Sequence, residues 1–344
     1  MEFSLIFILL TVVIILNIND AVRFRGTMIN PHLKADDFRV LASWKANHIR
    51  WQVLWGGDGH PADNATVDEY NAWLQGALND FDSMLPVLRE LRLNVLLDLH
   101  TSPGGRDPKL NWRMFNNKTW QDCFLASWDM MANRYKNETI IMGYDLVNEP
   151  DDRDVVPGLL NWHDLASVTV QRIRAIDPQR TIIVEAPPGS GVTTLPNFTP
   201  LSFDNIIYSF HMYEPGKFTF QNLRANTTPP VYYPGMIDGK MWNKDQLRTL
   251  MQPNVDWQKR HNVSIHVGEF SAIRWAPGNS TANYLSDVIE LFEEFGWTWN
   301  YHAFREWQGW DVEMIGDMNN PHRSSVPTDR QQVLMKWFQQ NQFS

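Results

Sequence analysis

Cysteine is nearly absent from this chain of 344 residues, which contains Cys123 and no other. No intrachain disulfide can form, and the cysteine count does not identify the compartment in which the protein works. Clusters of lysine and arginine are missing too, and the formal net charge is −9 at pH 7. Because nucleic acids are bound through basic clusters that neutralise phosphates, we do not expect a nucleic-acid partner.

A hydrophobic run long enough to span a membrane is also lacking. The run at residues 5–16 is shorter than the roughly 20 residues that a transmembrane helix needs, but it suits the core of a secretion signal. We therefore expect residues 1–21 to be a signal peptide and the protein to be secreted. No Lys or Arg precedes the run, and "NINDA" lacks a small-residue cleavage pattern. An uncleaved N-terminal membrane anchor is the alternative.

Asn-x-Ser/Thr sequons are abundant, at roughly twice the number expected from composition. They lie at Asn64, Asn117, Asn137, Asn197, Asn226, Asn262 and Asn279. Since such sequons are glycosylated in the secretory pathway, their number favours an exported glycoprotein.

Gly/Ser-rich linkers and internal repeats are absent, so residues 22–344 are expected to form one domain. Short apolar runs alternate here with longer amphipathic stretches, which is typical of βα units and a parallel sheet. The eight runs are residues 23–30, 48–53, 94–100, 141–150, 181–186, 206–215, 264–272 and 298–307. Eight such units predict an α/β fold with a single (β/α)8 TIM barrel. The long segment at 216–245 is expected to form a wall of the substrate cleft.

Polar residues recur at the carboxyl ends of these predicted strands, where a barrel of this kind places its active site. They are Arg50, His100, Asn148, Glu149, His211, Tyr213, Glu269 and Trp307. Each residue alone also fits a structural role: a buried histidine is commonly a satisfied hydrogen-bonding group, and Glu185 shows that a strand-end glutamate is not diagnostic. The conjunction favours a site in which Glu149 and Glu269 project across one cavity.

The motifs "DLVNEP", "SFHMYEP", "HVGEFS" and "FREW", with Arg50 and "LDLHTSPGG", resemble those of glycoside hydrolase family 5, the cellulase-like retaining β-glycosidases. The resemblance implies that Glu149 is the acid/base and Glu269 the nucleophile. It also implies substrate-site roles for six residues: Arg50 and Tyr213 holding the nucleophile, Asn148 at the sugar 2-hydroxyl, His211 near the acid/base, His100 lining the glycone site and Trp307 flooring it. The first strand follows the predicted signal so closely that a cap over the barrel bottom is expected to be missing.

Glycoside hydrolysis requires a carboxylic acid that protonates the leaving oxygen and, in retaining enzymes, a carboxylate that attacks the anomeric carbon. Arg50 and Tyr213 would favour the ionised form of Glu269 and leave the proton on Glu149. Tryptophans would offer platforms for sugar rings. The candidates are Trp55, Trp112, Trp275, Trp307 and Trp310.

The expected partner is thus a β-linked glucan or a related polysaccharide or oligosaccharide. A β-mannanase, a β-1,3-glucanase or β-glucosidase, and a non-catalytic sugar-binding barrel are the alternatives. We expect no metal, because His48, His100 and His211 lack the spacing of a zinc motif and the chemistry requires none. We also expect no cofactor and a monomeric protein.

Overall fold

A closed barrel of eight parallel strands forms the centre of the molecule, as the sequence predicted. The computed structural model describes residues 23–56, 61–223 and 229–341. The barrel strands are β1 (Arg25–Ile29), β2 (His48–Gln52), β3 (Asn94–Asp98), β4 (Ile141–Asp145), β5 (Thr181–Glu185), β6 (Ile206–Met212), β7 (Ser264–Phe270) and β8 (Thr298–Phe304). Each strand pairs with its neighbours in the chain, and β1 closes the barrel against β8.

Helices surround the barrel and connect most of its strands. They are α1 (Ala35–Ser43), α2 (Val67–Leu91), α3 (Lys118–Tyr135), α4 (Trp162–Ile176), α5 (Lys244–His261), α6 (Ser280–Phe295) and α7 (Asp329–Phe338). The connection from β5 to β6, which is described throughout, contains a 3-10 turn at Leu195–Asn197 in place of a long helix. This leaves residues 186–194 free to pack across the carboxyl end of the barrel.

The start of α2 illustrates how local sequence fixes an element. The Thr66 hydroxyl accepts a hydrogen bond from the Glu69 main-chain nitrogen, and the Glu69 carboxylate accepts one from the Thr66 main-chain nitrogen. This capping box satisfies donors that the first helical turn would leave unpaired. Six apolar or aromatic residues of α2 then point into the core, among them Leu74, Leu78 and Phe81.

Both faces of the barrel strands are covered, by side chains inside the barrel and by helices outside it. All five residues of β1 and of β2 are buried, for example. Ten of the sixteen tryptophans are buried as well, which leaves six partly exposed. Tryptophan is therefore mainly a packing residue here, and the candidates for sugar platforms are few.

The predicted cleft wall at 216–245 has secondary structure of its own. A one-turn helix covers Gly216–Thr219, and a two-stranded hairpin pairs Gly235–Ile237 with Lys240–Trp242. The Phe220 ring lies 5.0 Å from the Tyr213 ring, so this segment begins against the carboxyl end of the barrel. Its part at 224–228 lies outside the described residues.

The predicted signal or anchor at 1–21 likewise lies outside the described residues. In the ranges that the structure does describe, every helix is too short or too polar to cross a membrane.

Candidate active site

Arg50 is the centre of a buried ionic cluster at the carboxyl end of the barrel. Its side chain is fully buried on β2, and four carboxylates from other strands surround the guanidinium. They belong to Asp98, Asp145, Glu185 and Glu269, at nitrogen–oxygen distances of 3.2, 2.9, 2.8 and 2.9 Å. Burial opposes the charge on Arg50, but these carboxylates outweigh burial and raise its pKa well above the ordinary value.

Glu269 is held at the end of β7 by donors on both of its carboxylate oxygens. Arg50 donates to Oε1 at 2.9 Å, and the Tyr213 hydroxyl donates to Oε2 at 2.8 Å. Burial disfavours the ionised form, but His211, His302 and Arg50 outweigh it and hold the pKa of Glu269 well below its usual range. Glu269 is therefore a carboxylate over the whole neutral range, as a nucleophile must be.

Glu149 stands opposite, four residues beyond the end of β4. Its side chain is 35% exposed, whereas that of Glu269 is 5% exposed, so Glu149 faces the open side of the site. Its main chain has a φ of +49°, in the left-handed region that side-chain-bearing residues seldom adopt. Asn148 precedes it, and the Asn148 amide oxygen accepts a hydrogen bond from Arg50 at 3.2 Å.

His211 connects the two glutamates. Its Nδ1 lies 2.8 Å from Oε1 of Glu149 and 3.7 Å from Oε2 of Glu269. Burial lowers the pKa of His211, but Glu185 and Glu269 outweigh that effect and raise it well above the ordinary value. One oxygen of each glutamate and one nitrogen of His211 all lie within 4.8 Å of one another.

These three groups are also the described cluster best placed to hold a cation. Each is already hydrogen-bonded within the protein, and His211 carries a proton that a metal ion would have to displace. His48 lies at the start of β2, where its Nε2 contacts Oδ1 of Asn300 at 3.0 Å. It therefore does not converge with His100 and His211.

His100 and Asn148 border an open cleft of about 320 Å³ next to Glu149. The His100 ring is held by Asp98, whose Oδ2 lies 2.7 Å from Nδ1. Two of the candidate platforms, Trp55 and Trp112, line the same cleft. Polar groups and aromatic faces thus share one groove beside the glutamates, which is the composition expected of a sugar-binding site.

Trp307 lies beyond β8 in a cluster of partly exposed tryptophans. Its ring packs edge-on against Trp275 at 5.8 Å and against Trp310 at 5.2 Å. The Trp310 ring in turn lies 4.6 Å from the His302 ring and 6.1 Å from the Tyr213 ring. The group that directly adjoins the Glu269 carboxylate on this side is His302, with Trp307 farther along the loop.

His302 is a site residue that the strand-end pattern missed. Its Nδ1 lies 3.1 Å from Oε2 of Glu269 and 2.5 Å from the Tyr213 hydroxyl, and its Nε2 lies 3.3 Å from Glu306. Gln52 donates to the other Glu306 oxygen at 2.7 Å. Burial lowers the pKa of His302, but the two carboxylates outweigh it and raise that pKa to about 10. Its position inside β8, two residues before the strand ends, gave the only available signal.

Known proteins resemble this chain in both sequence and fold. A model of the family described as Cellulase (glycosyl hydrolase family 5) matches residues 18–304, which is most of the chain. The chain belongs to glycosyl hydrolase family 5. It is accordingly an enzyme of the O-glycosyl hydrolase class.

Among its relatives, Endoglucanase C of Acetivibrio thermocellus is 27% identical over 263 residues, covering 68% of this chain and 75% of the relative. Cellodextrinase A of Ruminococcus flavefaciens is 22% identical over 282 residues, covering 80% and 79%. Among solved structures, Thermotoga maritima Cel5A in complex with cellobiose matches with a TM-score of 0.70 and 21% identity, covering 91% of this chain and 97% of Cel5A. That likeness supports the barrel fold.

Proposed function

We propose that this protein hydrolyses β-linked glucans with retention of anomeric configuration, using Glu269 as nucleophile and Glu149 as acid/base. One observation carries the proposal. Two glutamates from different strands approach within 4.8 Å across the carboxyl end of the barrel, and only the deeper one is fixed by Arg50 and Tyr213. Retaining glycosidases place their carboxyl groups about 5–5.5 Å apart, whereas inverting enzymes need room for a water between them.

In the first step, a Glu269 oxygen attacks the anomeric carbon while the bond to the leaving sugar breaks. Glu149 gives its proton to the departing oxygen, so an ester to Glu269 forms and Glu149 becomes a carboxylate. The raised pKa of Tyr213, due to burial and then to Glu269, keeps its hydroxyl protonated as a donor to the nucleophile. Arg50 fixes the other oxygen and limits rotation of the carboxylate.

In the second step, Glu149 removes a proton from water, and the water oxygen attacks the same anomeric carbon. The ester bond breaks, Glu269 leaves as a carboxylate and Glu149 regains its proton. His211 remains hydrogen-bonded to Glu149 throughout, since its raised pKa keeps it a donor in both states.

The substrate class rests on the relatives and on the cleft. Relatives covering two thirds or more of this chain are named endoglucanase and cellodextrinase, and these names support a glucan substrate for this chain. The cleft, with the partly exposed ring of Trp55 along it, suits a chain of sugar rings, whereas Trp112 is buried in its wall. A β-mannan is the second candidate, because Thermotoga maritima Cel5A, of the same fold, has been crystallised with mannotriose as well as cellobiose. Reducing-sugar release from cellulose derivatives, β-mannan and β-1,3-glucan distinguishes these substrates.

Variants of the two glutamates test the mechanism. Glu269→Gln should abolish turnover of every substrate, because the neutral amide oxygen of glutamine is too weak a nucleophile to replace the carboxylate. Glu149→Ala should lose activity on the natural glycan but still form the glycosyl-enzyme from an aryl glycoside with a good leaving group. Added azide should then give a glycosyl azide of retained configuration, whereas a small-residue Glu269 variant should give the inverted azide. The opposite pattern by proton NMR would reverse the assignment, and inversion by the unaltered enzyme would refute it.

Export in glycosylated form is part of the proposal. Six of the seven sequon asparagines are described, and all six are exposed: Asn64, Asn117, Asn137, Asn197, Asn262 and Asn279. Asn117 caps α3 through its side-chain oxygen, which an N-linked glycan leaves available. Expression in a eukaryotic secretory host followed by glycosidase treatment and N-terminal sequencing tests both export and cleavage of the predicted signal. Unglycosylated intracellular protein that begins at Met1 would contradict it.

A further inference from the structure

We propose that Glu185 is a positioning residue for the acid/base, acting on Glu149 through its main chain and through His211. This inference rests on the proposed roles of Glu149 and Glu269. Glu185 ends β5 and is completely buried. It touches no open part of the cleft, so any effect on the reaction must pass through the residues that it contacts.

The first contact fixes the main chain of Glu149. The Glu149 N–H donates to Oε2 of Glu185 at 2.7 Å. Glu149 occupies the left-handed region, which costs a residue with a side chain on the order of 1–2 kcal/mol. A charge-assisted hydrogen bond is about twice as strong as a neutral one, so the Glu185 carboxylate can hold this unfavourable conformation. That conformation decides where the Glu149 side chain points.

The second contact orients His211. Its Nε2 lies 3.2 Å from Oε1 of Glu185, and its Nδ1 lies 2.8 Å from Glu149. An imidazolium donates from both nitrogens, so a carboxylate behind the ring fixes the direction of the proton in front of it. The pKa of Glu185 itself is lowered to about 2, because His211 and Arg50 outweigh its burial. Glu185 is thus ionised whenever the enzyme is folded at ordinary pH.

The β5–β6 connection adds further hydrogen bonds to Glu185, to His211 and to the turn that carries Glu149. The Ser190 hydroxyl donates to Oε2 of Glu185 at 2.6 Å, while the Ser190 carbonyl accepts from the His211 main-chain nitrogen at 2.6 Å. The Gly189 main-chain nitrogen donates to the Pro150 carbonyl at 2.9 Å. One short loop therefore binds the turn that carries Glu149, the strand that carries His211 and the carboxylate between them.

Asp145 provides a comparison that shares the Arg50 contact, although burial, Glu185 and Asp98 raise the pKa of Asp145 well above its ordinary value, whereas that of Glu185 is lowered. It is also fully buried and also binds Arg50, at 2.9 Å, but among the described contacts it has none to Glu149 or His211. A change at Asp145 reaches the reaction through Arg50 and hence through the nucleophile. A change at Glu185 reaches it through the acid/base as well. The two carboxylates can therefore be distinguished by how strongly their effects depend on the leaving group.

The experiment compares Glu185→Gln with Asp145→Asn on two substrates. One is a cello-oligosaccharide, which needs protonation of its leaving group, and the other is a dinitrophenyl cellobioside, which does not. Glu185→Gln should lower kcat/KM at least about 100-fold on the oligosaccharide and less than about tenfold on the dinitrophenyl substrate. The ratio kcat/KM is the measure because it reports formation of the glycosyl-enzyme, whereas kcat also includes the second step, in which Glu149 is the base for both substrates. Asp145→Asn should lower both rates by the same factor.

Two further variants keep the outcome decisive. Ser190→Ala removes one donor to Glu185 without altering its charge, and it takes the place of Glu185→Gln if that variant fails to fold. It should show the same leaving-group dependence, with a smaller difference between the two substrates. Glu149→Ala sets the reference for full loss of acid catalysis. If Glu149→Ala shows no leaving-group dependence, the proposed function fails. If Glu149→Ala shows the dependence but Glu185→Gln slows both substrates equally, only the role of Glu185 is overturned. The same conclusion follows if Ser190→Ala is used in its place and slows both substrates equally.

Discussion

His302 places a second imidazolium beside the carboxylate that we propose as nucleophile. His211 reaches toward both glutamates, whereas His302 contacts Glu269 and Tyr213 on the other side, with Glu306 behind it. A cation at 3.1 Å favours the ionised form of Glu269. His211 thus contacts the acid/base and also favours the ionised nucleophile, whereas His302 contacts the nucleophile and its donor Tyr213.

Replacing His302 by Phe should move the acidic limb of kcat/KM to higher pH. Loss of the imidazolium raises the pKa of Glu269, so the nucleophile becomes protonated at a higher pH. The measurement is a pH profile of kcat/KM with an activated aryl glycoside, whose first step needs no acid. His100→Phe is the control, because its described contacts include none to Glu269; it should raise KM without moving the limb. An unmoved limb in His302→Phe would contradict the expectation.

The loop that follows β3 depends on glycines with left-handed main chains. Gly105 has a φ of +54°, and a Cβ built there would lie 2.1 Å from Oδ1 of Asp63. That same oxygen accepts a hydrogen bond from the Arg106 main-chain nitrogen at 2.6 Å. Gly105, Arg106 and Trp112 all line the cleft beside Glu149, so the shape of the cleft depends on this close approach.

Gly105→Ala should therefore raise KM for oligosaccharides on the order of tenfold, because displacing Asp63 shifts Arg106 and the cleft wall. Gly239→Ala is the matched control: its φ is +74°, but nothing lies within 4 Å of the added Cβ. It should cost about 1–2 kcal/mol of stability from the main-chain conformation alone and leave KM unchanged. Steady-state kinetics and urea unfolding separate the two effects. Equal KM values in both variants would rule out the clash as a determinant of binding.

An ionic cluster at the end of the barrel opposite the active site joins its first and last strands. Glu293 of α6 accepts hydrogen bonds from Arg25 of β1 at 2.5 and 2.8 Å and from the Trp299 indole of β8 at 2.9 Å. Arg23 adds a further bond at 2.9 Å. The first and last strands are thus joined through one buried carboxylate, in addition to their main-chain pairing.

Glu293→Ala should lower the free energy of unfolding by about 3–5 kcal/mol, because it leaves Arg25 buried without a counter-charge. Well below the unfolding temperature, kcat should stay unchanged, since Glu293 lies far from the proposed site. Asp122→Ala is the comparison: it breaks an exposed pair with Lys118 and should cost less than about 1 kcal/mol. Urea unfolding with activity assays checks both. Similar losses in the two variants would argue against a role of this cluster in closure.

Much of this architecture can be predicted from the chain alone. The alternation of apolar runs and amphipathic stretches predicted the eight-stranded barrel, because each βα unit is encoded by local periodicity. The position of a polar residue just beyond an apolar run predicted which side chains share the active end. Residues such as Glu149 stand out because a buried strand stops abruptly in front of them.

The remaining site residues needed the folded barrel. Parallel strands buried on both faces show no alternation of polar and apolar residues, so the sequence does not tell which side of β8 His302 occupies. Glu185 reads as an isolated strand-end glutamate, yet it meets Arg50 across 135 positions of sequence. Glu269 meets Arg50 across 219 positions. Such contacts arise only when the barrel closes, because closure brings distant strands around the Arg50 guanidinium. The buried carboxylates require its positive charge as their counter-charge.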